Sequence, residues 1–119
     1  MIRIALLALL LSGCAAAPWT DGDTRRELVY VAALAADSYT TARFSRDPNA
    51  SETLGVARSI YGAQPDAESV LITSALAAVI HYWIARRLDT NHRKVWQWGF
   101  AGFHAKAAIH NCRYNEIGC

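Results

Sequence analysis

Asp37 is the first residue with a claim on chemistry. It sits among small residues, Ala33, Ala36, Thr40 and Thr41, where a helix would bury its carboxylate, and a buried carboxylate must be paired or neutralised. Arg43 is not at helical spacing from it, so a partner has to come from another segment, from His81, His104 or His110. Three histidines and an aspartate converging inside a helical bundle would make a zinc or iron site. The local patterns that accompany such sites, H-x-x-x-H, E-x-x-H and C-x-x-C, are missing from the chain, and His104 and His110, six apart, fall on helix faces about 120° from each other. Hydrogen-bonded core histidines are therefore the plainer expectation, with no metal. No G-x-S-x-G elbow is present to seat a nucleophilic serine, so no catalytic residue is assigned and an enzyme is the minority reading.

The N-terminus carries a different kind of chemistry. Met1-Ile2-Arg3 is followed by an apolar stretch from Ile4 to Leu11 and then by Ser12-Gly13-Cys14: a positive start, a short apolar core and small residues at the cut, the parts of a secretory signal. The apolar core is too short to span a bilayer, which takes roughly 20 residues. Leu11-Ser12-Gly13-Cys14 resembles the lipobox of bacterial lipoproteins. That resemblance implies that Cys14 receives a diacylglycerol before cleavage and, in many bacteria, an N-acyl chain afterwards; apart from this covalent lipid no cofactor is expected. Ala15 follows, where an Asp would imply retention at the inner membrane, so the resemblance implies an outer-membrane, periplasm-facing location. The competing reading is an ordinary signal cleaved after one of Ala15 to Ala17. The expected organisation is signal peptide 1–13, lipidated cysteine and tether 14–23, and a helical domain 24–119.

With Cys14 lipidated, Cys112 and Cys119 remain as an even pair in an oxidising compartment, where they are expected to bridge; the alternative is two free thiols. Such a short loop would pin the C-terminal tail and contribute on the order of 2 to 3 kcal/mol. The 119-residue chain has 12 Lys and Arg against 10 Asp and Glu, and loss of the signal removes Arg3. That near balance predicts no nucleic-acid partner, which would need a clustered basic face.

The elements that must position these residues all read as helices. Ala15 to Asp23 contains Pro18 and Gly22 without apolar periodicity and reads as the tether. Thr24-Arg25-Arg26-Glu27 has the spacing of a capping box, opening a first helix that runs to about Phe44 before Asp47-Pro48 stops it. Asn49 to Gln64 reads as a loop with a short helix within Ser51 to Ile60. Pro65 suits a first helical position, and Asp66 and Glu68 favour a helix start. The second helix carries Val70 to Ala85, apolar or small on every side except at Thr73, Ser74 and His81, which predicts a central or membrane position. Thr90 or Asn91 would cap a third helix reaching about Asn111, with Trp96, Phe100, Phe103, Ala107 and His110 on one face. No alternating strand pattern of useful length occurs. The expected fold is all-α, a small three-helix bundle with the second helix between the others.

Charge placement bears on whether these helices span a membrane. Lipidation at Cys14 would fix the N-terminus outside the cytoplasm. Three spans would then leave Arg86, Arg87, Arg93 and Lys94 outside too, against Arg43, Arg46 and Arg58 inside, which runs against the positive-inside rule by a small margin. Val70 to Ala85 would reach roughly 24 Å at 1.5 Å per residue, short of a hydrocarbon core of roughly 30 Å, and Asp37 and Lys106 would lie mid-span. A soluble or membrane-surface bundle is the favoured expectation and an integral membrane protein with up to three spans the alternative. The basic turn, with His92 among its arginines, suits either anionic head groups or a solvated end of two helices. Trp83, Trp96, Trp98 and Tyr82 beside it suit either core packing or an interface.

A second resemblance spans most of the mature domain. Asp37-x-x-Thr40, Glu52-Thr53, Gly62-x-x-Pro65 with Val70 five beyond, and His110-Asn111 before Gly118 are similar to uncharacterised small helical proteins of bacterial and prophage origin. Those relatives show Asn-Pro after the Glu-Thr pair, where this chain has Leu54-Gly55. The resemblance implies a polar cluster of Asp37, Thr40, Glu52 and Asn111, joined by His81 or His110 if a histidine partners the aspartate. The expected function is a lipid-anchored envelope protein with a structural or partner-binding role; a metal-binding or enzymatic bundle built on Asp37 and the histidines is the reading from another class.

Overall fold

The computed structural model describes residues 17–46, 55–62 and 64–114. The elements in order are α1 (Asp21–Ala42), a short 3-10 turn (Arg43–Arg46), α2 (Gly55–Tyr61), α3 (Ala67–Ala85) and α4 (Thr90–Tyr114). No strand occurs among the described residues, so the chain is an all-α bundle, as its patterning predicts. The signal segment, Cys14, the Asp47-Pro48 stop, Glu52 and Cys119 lie outside the described residues.

Each long helix begins at a side chain that satisfies open backbone donors, though not always at the expected one. Helix α1 starts four residues early. Thr20 is its N-cap: its hydroxyl accepts from the Asp23 backbone at 3.2 Å while Asp23 Oδ2 accepts from the Thr20 backbone at 2.8 Å, a reciprocal capping box. The sequence holds two consecutive T-x-x-acid patterns, Thr20–Asp23 and Thr24–Glu27, and the earlier one wins because the later one is used elsewhere. Thr24 accepts from Trp19 Nε1 at 2.9 Å and Glu27 is turned into the bundle. At α3, Asp66 caps by accepting from the Ser69 N–H at 2.9 Å, with Pro65 buried just before it and Gly62 in the left-handed region at φ 79° making the turn. At α4 the cap is Asp89, which accepts from the backbone N–H of Asn91 at 3.0 Å and of His92 at 3.2 Å, just before the expected Thr90 or Asn91.

The packing differs from the expected sandwich. Helices α1 and α4 run parallel and pack along their whole length; α3 returns antiparallel between them in sequence, leaning on α1 and touching α4 only sparsely. The second long helix is therefore peripheral. Only Val70, His81 and Ala85 of α3 are buried, while Leu76 is 57% and Val79 66% exposed. The face of α4 also turns differently. Its buried positions are Arg93, Gln97, Ala101, Ala107, Ala108 and Asn111; of the expected face Ala107 is buried, Trp96 is half-buried, Phe100 packs one edge on His81, and Phe103 and His110 are outside. Helical spacing identified a real stripe, but the inward stripe on α4 is the polar and small one. The apolar core is correspondingly small: Tyr30, Leu34 and Ala101, with Ala78 against them.

Replacing the α3 cap should cost what a lost N-cap usually costs. Asp66→Ala is expected to lower the stability of the bundle by about 1 kcal/mol, measured by equilibrium unfolding followed by circular dichroism.

Candidate functional site

The buried polar residues of α1 and α4 form one column. Asp23 meets Arg93, Glu27 meets Gln97 and Thr41 meets Asn111, each pair separated by 70 residues in sequence. A constant offset means that the two parallel helices keep one register over 18 residues, about 27 Å at 1.5 Å per residue.

Arg93 heads the column. It is 1% exposed and uses all five of its N–H donors. Nε donates to Ala85 O at 2.9 Å. Nη1 donates to Pro18 O at 3.1 Å and Asp23 Oδ2 at 2.9 Å, and Nη2 to Ala17 O at 2.7 Å and Leu88 O at 2.9 Å. Arg93 was expected in a solvated basic turn; it is instead the most enclosed charge of that turn, because its side chain reaches back under the end of α3. Asp23 accepts in addition from the Thr20 backbone and hydroxyl, both at 2.8 Å, and from Arg26. Burial acts to raise the Asp23 carboxyl, but the hydrogen bonds from Thr20, Arg93 and Arg26 together outweigh it and hold the group at about 2.

Below this ion pair the column continues through amides, carboxylates and rings. Gln97 accepts from Arg26 Nε at 2.9 Å and donates to Asp23 O at 3.1 Å and Glu27 Oε2 at 2.9 Å. Glu27 Oε1 lies 2.9 Å from His81 Nδ1. The His81 ring is stacked on Tyr30 at 3.6 Å between centroids and on Trp96 at 5.3 Å, with Phe100 edge-on at 5.5 Å. Its Nε2 faces this aromatic enclosure with no hydrogen-bond partner in the protein. Two turns along α4 from Gln97, His104 Nδ1 lies 2.7 Å from Asp37 Oδ2. Asn111 Nδ2 then donates to Thr40 at 3.0 Å and Thr41 at 3.3 Å, and Thr40 Oγ1 donates to Asp37 O at 2.9 Å. Between α1 and α3, Ser38 and Ser74 hydroxyls are 2.6 Å apart.

The expected polar cluster is thus assembled in part. Asp37, Thr40 and Asn111 come together, and His104 supplies the aspartate's partner. His81 does not join them; it is the partner of Glu27, nearer the other end of the column. His110 points outward from α4, and Glu52 lies outside the described residues. Cys112 is disulfide-bonded, and both other cysteines lie outside the described residues. Arg93, Asp23, Gln97 and Glu27 were missed as site residues. Their signal is the i, i+4 spacing of polar residues in both helices; the sequence pattern instead assigns Asp23 to the tether, Glu27 to a cap and Arg93 to a solvated turn, and gives Gln97 no role.

Chemically the column holds two carboxylate–histidine pairs, Glu27 with His81 and Asp37 with His104. No group of three His, Cys, Asp or Glu side chains that could hold a metal ion occurs among the described residues. The outside of the bundle is the more unusual surface. Leu28, Val31 and Tyr39 of α1, Leu71, Ile72, Leu76, Val79 and Ile80 of α3, and Val95, Trp98, Phe103 and Ile109 of α4 are all exposed. At the end marked by Arg93, cations lie over aromatic rings: Arg87 at 3.4 Å from the Trp83 ring centre and Arg86 at 5.2 Å from that of Trp19, with Trp19 edge-on to Tyr82. No protein family, curated protein or solved structure matches the chain, so the functional reading rests on this geometry.

Two outcomes follow for the ion pair. Arg93→Met should destabilise the bundle by about 3 to 5 kcal/mol, because it removes one of the two cations paired with buried Asp23 and takes a donor from four backbone carbonyls, as read from equilibrium unfolding. The Asp23 carboxyl is depressed in the fold, so the unfolded chain binds the extra proton as pH falls. The stabilisation is complete above the unfolded value near 3.8 and is lost progressively between about 4 and about 2; thermal melts across this range should show the loss in the native chain, and Asp23→Asn should remove that component of it.

Proposed function

We propose that this chain is a lipid-anchored protein of the cell envelope with a structural or partner-binding role, and that its three long helices are seated in the bilayer instead of standing free in the periplasm. The observation that carries this reading is the inverted polarity of the bundle: charged and amide side chains are enclosed in the α1–α4 column, and apolar side chains face outward on all three helices. Helix α3 is apolar and long enough to cross a membrane, with 19 residues and only 11% of its apolar window buried. The core helix of a soluble bundle would be mostly buried. From Ala67 it extends about 28 Å, a turn longer than its sequence pattern suggests and close to the roughly 30 Å of a hydrocarbon core.

Helices α1 and α4 are less apolar as sequences because each carries a polar face, and that face is turned to its neighbour. Between Leu28 and Ala42, and between Val95 and Cys112, the charged residues are Asp37, paired inside, and Lys106. A lysine stem lies along apolar surface while its ammonium reaches the head groups. The tryptophans, tyrosine and arginines around Trp19, Tyr82, Trp83, Arg86 and Arg87 match the composition of a membrane interface.

A second reading is favoured by the Cys112 disulfide. Helices α1 and α4 run parallel, so Cys112 sits at the end of the bundle opposite the tether. A spanning bundle with its N-terminus outside would put this disulfide on the cytoplasmic side, where thiols are kept reduced. A bundle held entirely on the outer side, its apolar faces covered by a protein partner, would keep it oxidised.

Carbonate extraction of a Cys14→Ala variant separates the two. Retention in the membrane pellet is the expected result; release into the soluble fraction would overturn the seated bundle in favour of the partner-covered one. The mass of the N-terminal peptide of the native protein checks the anchor itself: it should carry diacylglycerol on Cys14.

A further inference from the structure

The N-terminal tether is held beside an apolar groove of suitable size for a fatty chain. Arg93 Nη2 donates both to Ala17 O, at 2.7 Å, and to Leu88 O, at 2.9 Å. The start of the described chain and the turn after α3 are thus fastened to a single nitrogen. Leu88 is also the upper lining residue of a groove of about 460 Å³ that continues along α4 past His92, Val95, Trp96 and Gly99 to Phe103. From His92 to Phe103 the helix runs about 16 Å, close to the depth of one leaflet, half of a hydrocarbon core of roughly 30 Å. Gly99 forms part of its floor, and a Cβ built there would meet nothing within 4 Å. The groove is therefore open space on the helix, not a site closed by neighbouring side chains.

Cys14 is three residues before Ala17. Three residues of extended chain span at most about 10 Å, and Arg93 holds Ala17 and Pro18 beside Leu88, so a lipid on Cys14 would begin within reach of the groove. We infer that one acyl chain of the lipid on Cys14 lies in the Leu88–Phe103 groove, so that the anchor is docked along α4 instead of dispersing freely into the leaflet. This rests on the lipid-anchored reading given above. It gives the buried arginine a second consequence: the same side chain that completes the polar column sets where the lipid enters the membrane relative to the bundle. The surroundings suit such an occupant, since the lining is apolar apart from His92, whose ring is engaged with the Asp89 carboxylate.

The test is metabolic labelling of cells making the full chain with a diazirine-bearing palmitate, followed by irradiation and peptide mass spectrometry. Intramolecular adducts on Val95, Trp96 or Phe103 are expected in the native protein. They should be absent in Cys14→Ala and should fall about tenfold in Gly99→Leu, whose side chain fills the floor, a change equivalent to 1.4 kcal/mol of lost contact. Label on Cys14 with adducts confined to phospholipid or to other proteins would overturn the docked chain while leaving the anchor intact. Groove adducts that persist in Cys14→Ala would overturn it too, as they would come from free lipid. Absence of any acyl group on Cys14 would overturn the anchored reading itself.

Discussion

Arg93 is a cation withdrawn from water at the point where the tether, the end of α3 and the start of α4 meet. Taking a charge into a low-dielectric interior carries a penalty of several kcal/mol unless it is paired and its donors are filled, and here every donor is filled. Two of the acceptors, Ala85 O and Leu88 O, belong to the last turn of α3 and the residues just beyond it, where carbonyls lack an i+4 helical partner, Ala85 O having only a longer bond from the Leu88 N–H at 3.3 Å, and the helix dipole favours positive charge. Two more, Ala17 O and Pro18 O, belong to the tether. The fifth bond goes to Asp23, whose carboxylate also closes the cap of α1. One guanidinium thus ends one helix, helps begin another and fastens the chain that precedes both. The surrounding polar groups are consequences of that choice: Arg26 completes Asp23 and reaches Gln97, and Gln97 reaches Glu27.

From that point the register of the bundle is set. The pairs down the column are directional and depend on the offset of 70 residues. Sliding α4 by one turn would bring Gln97 opposite Val31 and carry Asn111 past the end of α1, leaving amides without acceptors in an enclosed seam, where each lost hydrogen bond leaves a desolvation penalty of about 1 to 3 kcal/mol. An apolar seam of the same length would tolerate such a slip better, since aliphatic contacts are not directional. Parallel neighbours also require a connection that returns the chain from one end to the other. Helix α3 is that connection, which explains why it lies at the side of the α1–α4 pair and not between them.

The sequence made the helices legible and left their sides ambiguous. Three long helices and the short one between the first two follow from apolar spacing, glycine and proline, with the end of α1 read two residues late, at about Phe44, because the 3-10 turn at Arg43–Arg46 carries no signal of its own. Asp37, Thr40 and Asn111 were readable as one cluster, with His104 among the named partners of the aspartate. The inward face of α4 was not readable, because periodicity identifies a stripe but not which stripe is inside. Trp96, Phe100 and Phe103 share a face by spacing, and so do Arg93, Gln97 and Ala101; ranking by hydrophobicity selects the first set, whereas Arg93, Gln97 and Ala101 are the ones enclosed. Arg93 was hidden for a related reason. In a run with Arg86, Arg87 and Lys94 it looks like one of several solvated cations, and its separation of 70 residues from Asp23 carries no local signal. The two T-x-x-acid patterns at the start of α1 were degenerate, and only the demand for Glu27 inside the column separates them.

The same ranking, reversed, is what connects the architecture to the proposed membrane placement. In water, a bundle with leucine, isoleucine, valine and tryptophan outside and arginine, glutamine and histidine inside forgoes roughly 1.5 to 3 kcal/mol for each large apolar side chain left exposed, while also desolvating its charges. In lipid the ordering of these terms changes. Outward aliphatic groups no longer need a protein neighbour, and polar groups have nowhere to go except toward one another. The α1–α4 column gives nearly all of them partners. His81 Nε2, without a protein acceptor or donor between Tyr30, Trp96 and Phe100, is the one buried side-chain atom left over among the described residues. It lies at the crossing of α1, α3 and α4, held by Glu27 on its other nitrogen. A ring so held needs only one hydrogen bond to orient it, and its aromatic faces do the remaining packing, so the leftover nitrogen marks the point where the column changes from ion pairs at the tether end to stacked rings at mid-bundle.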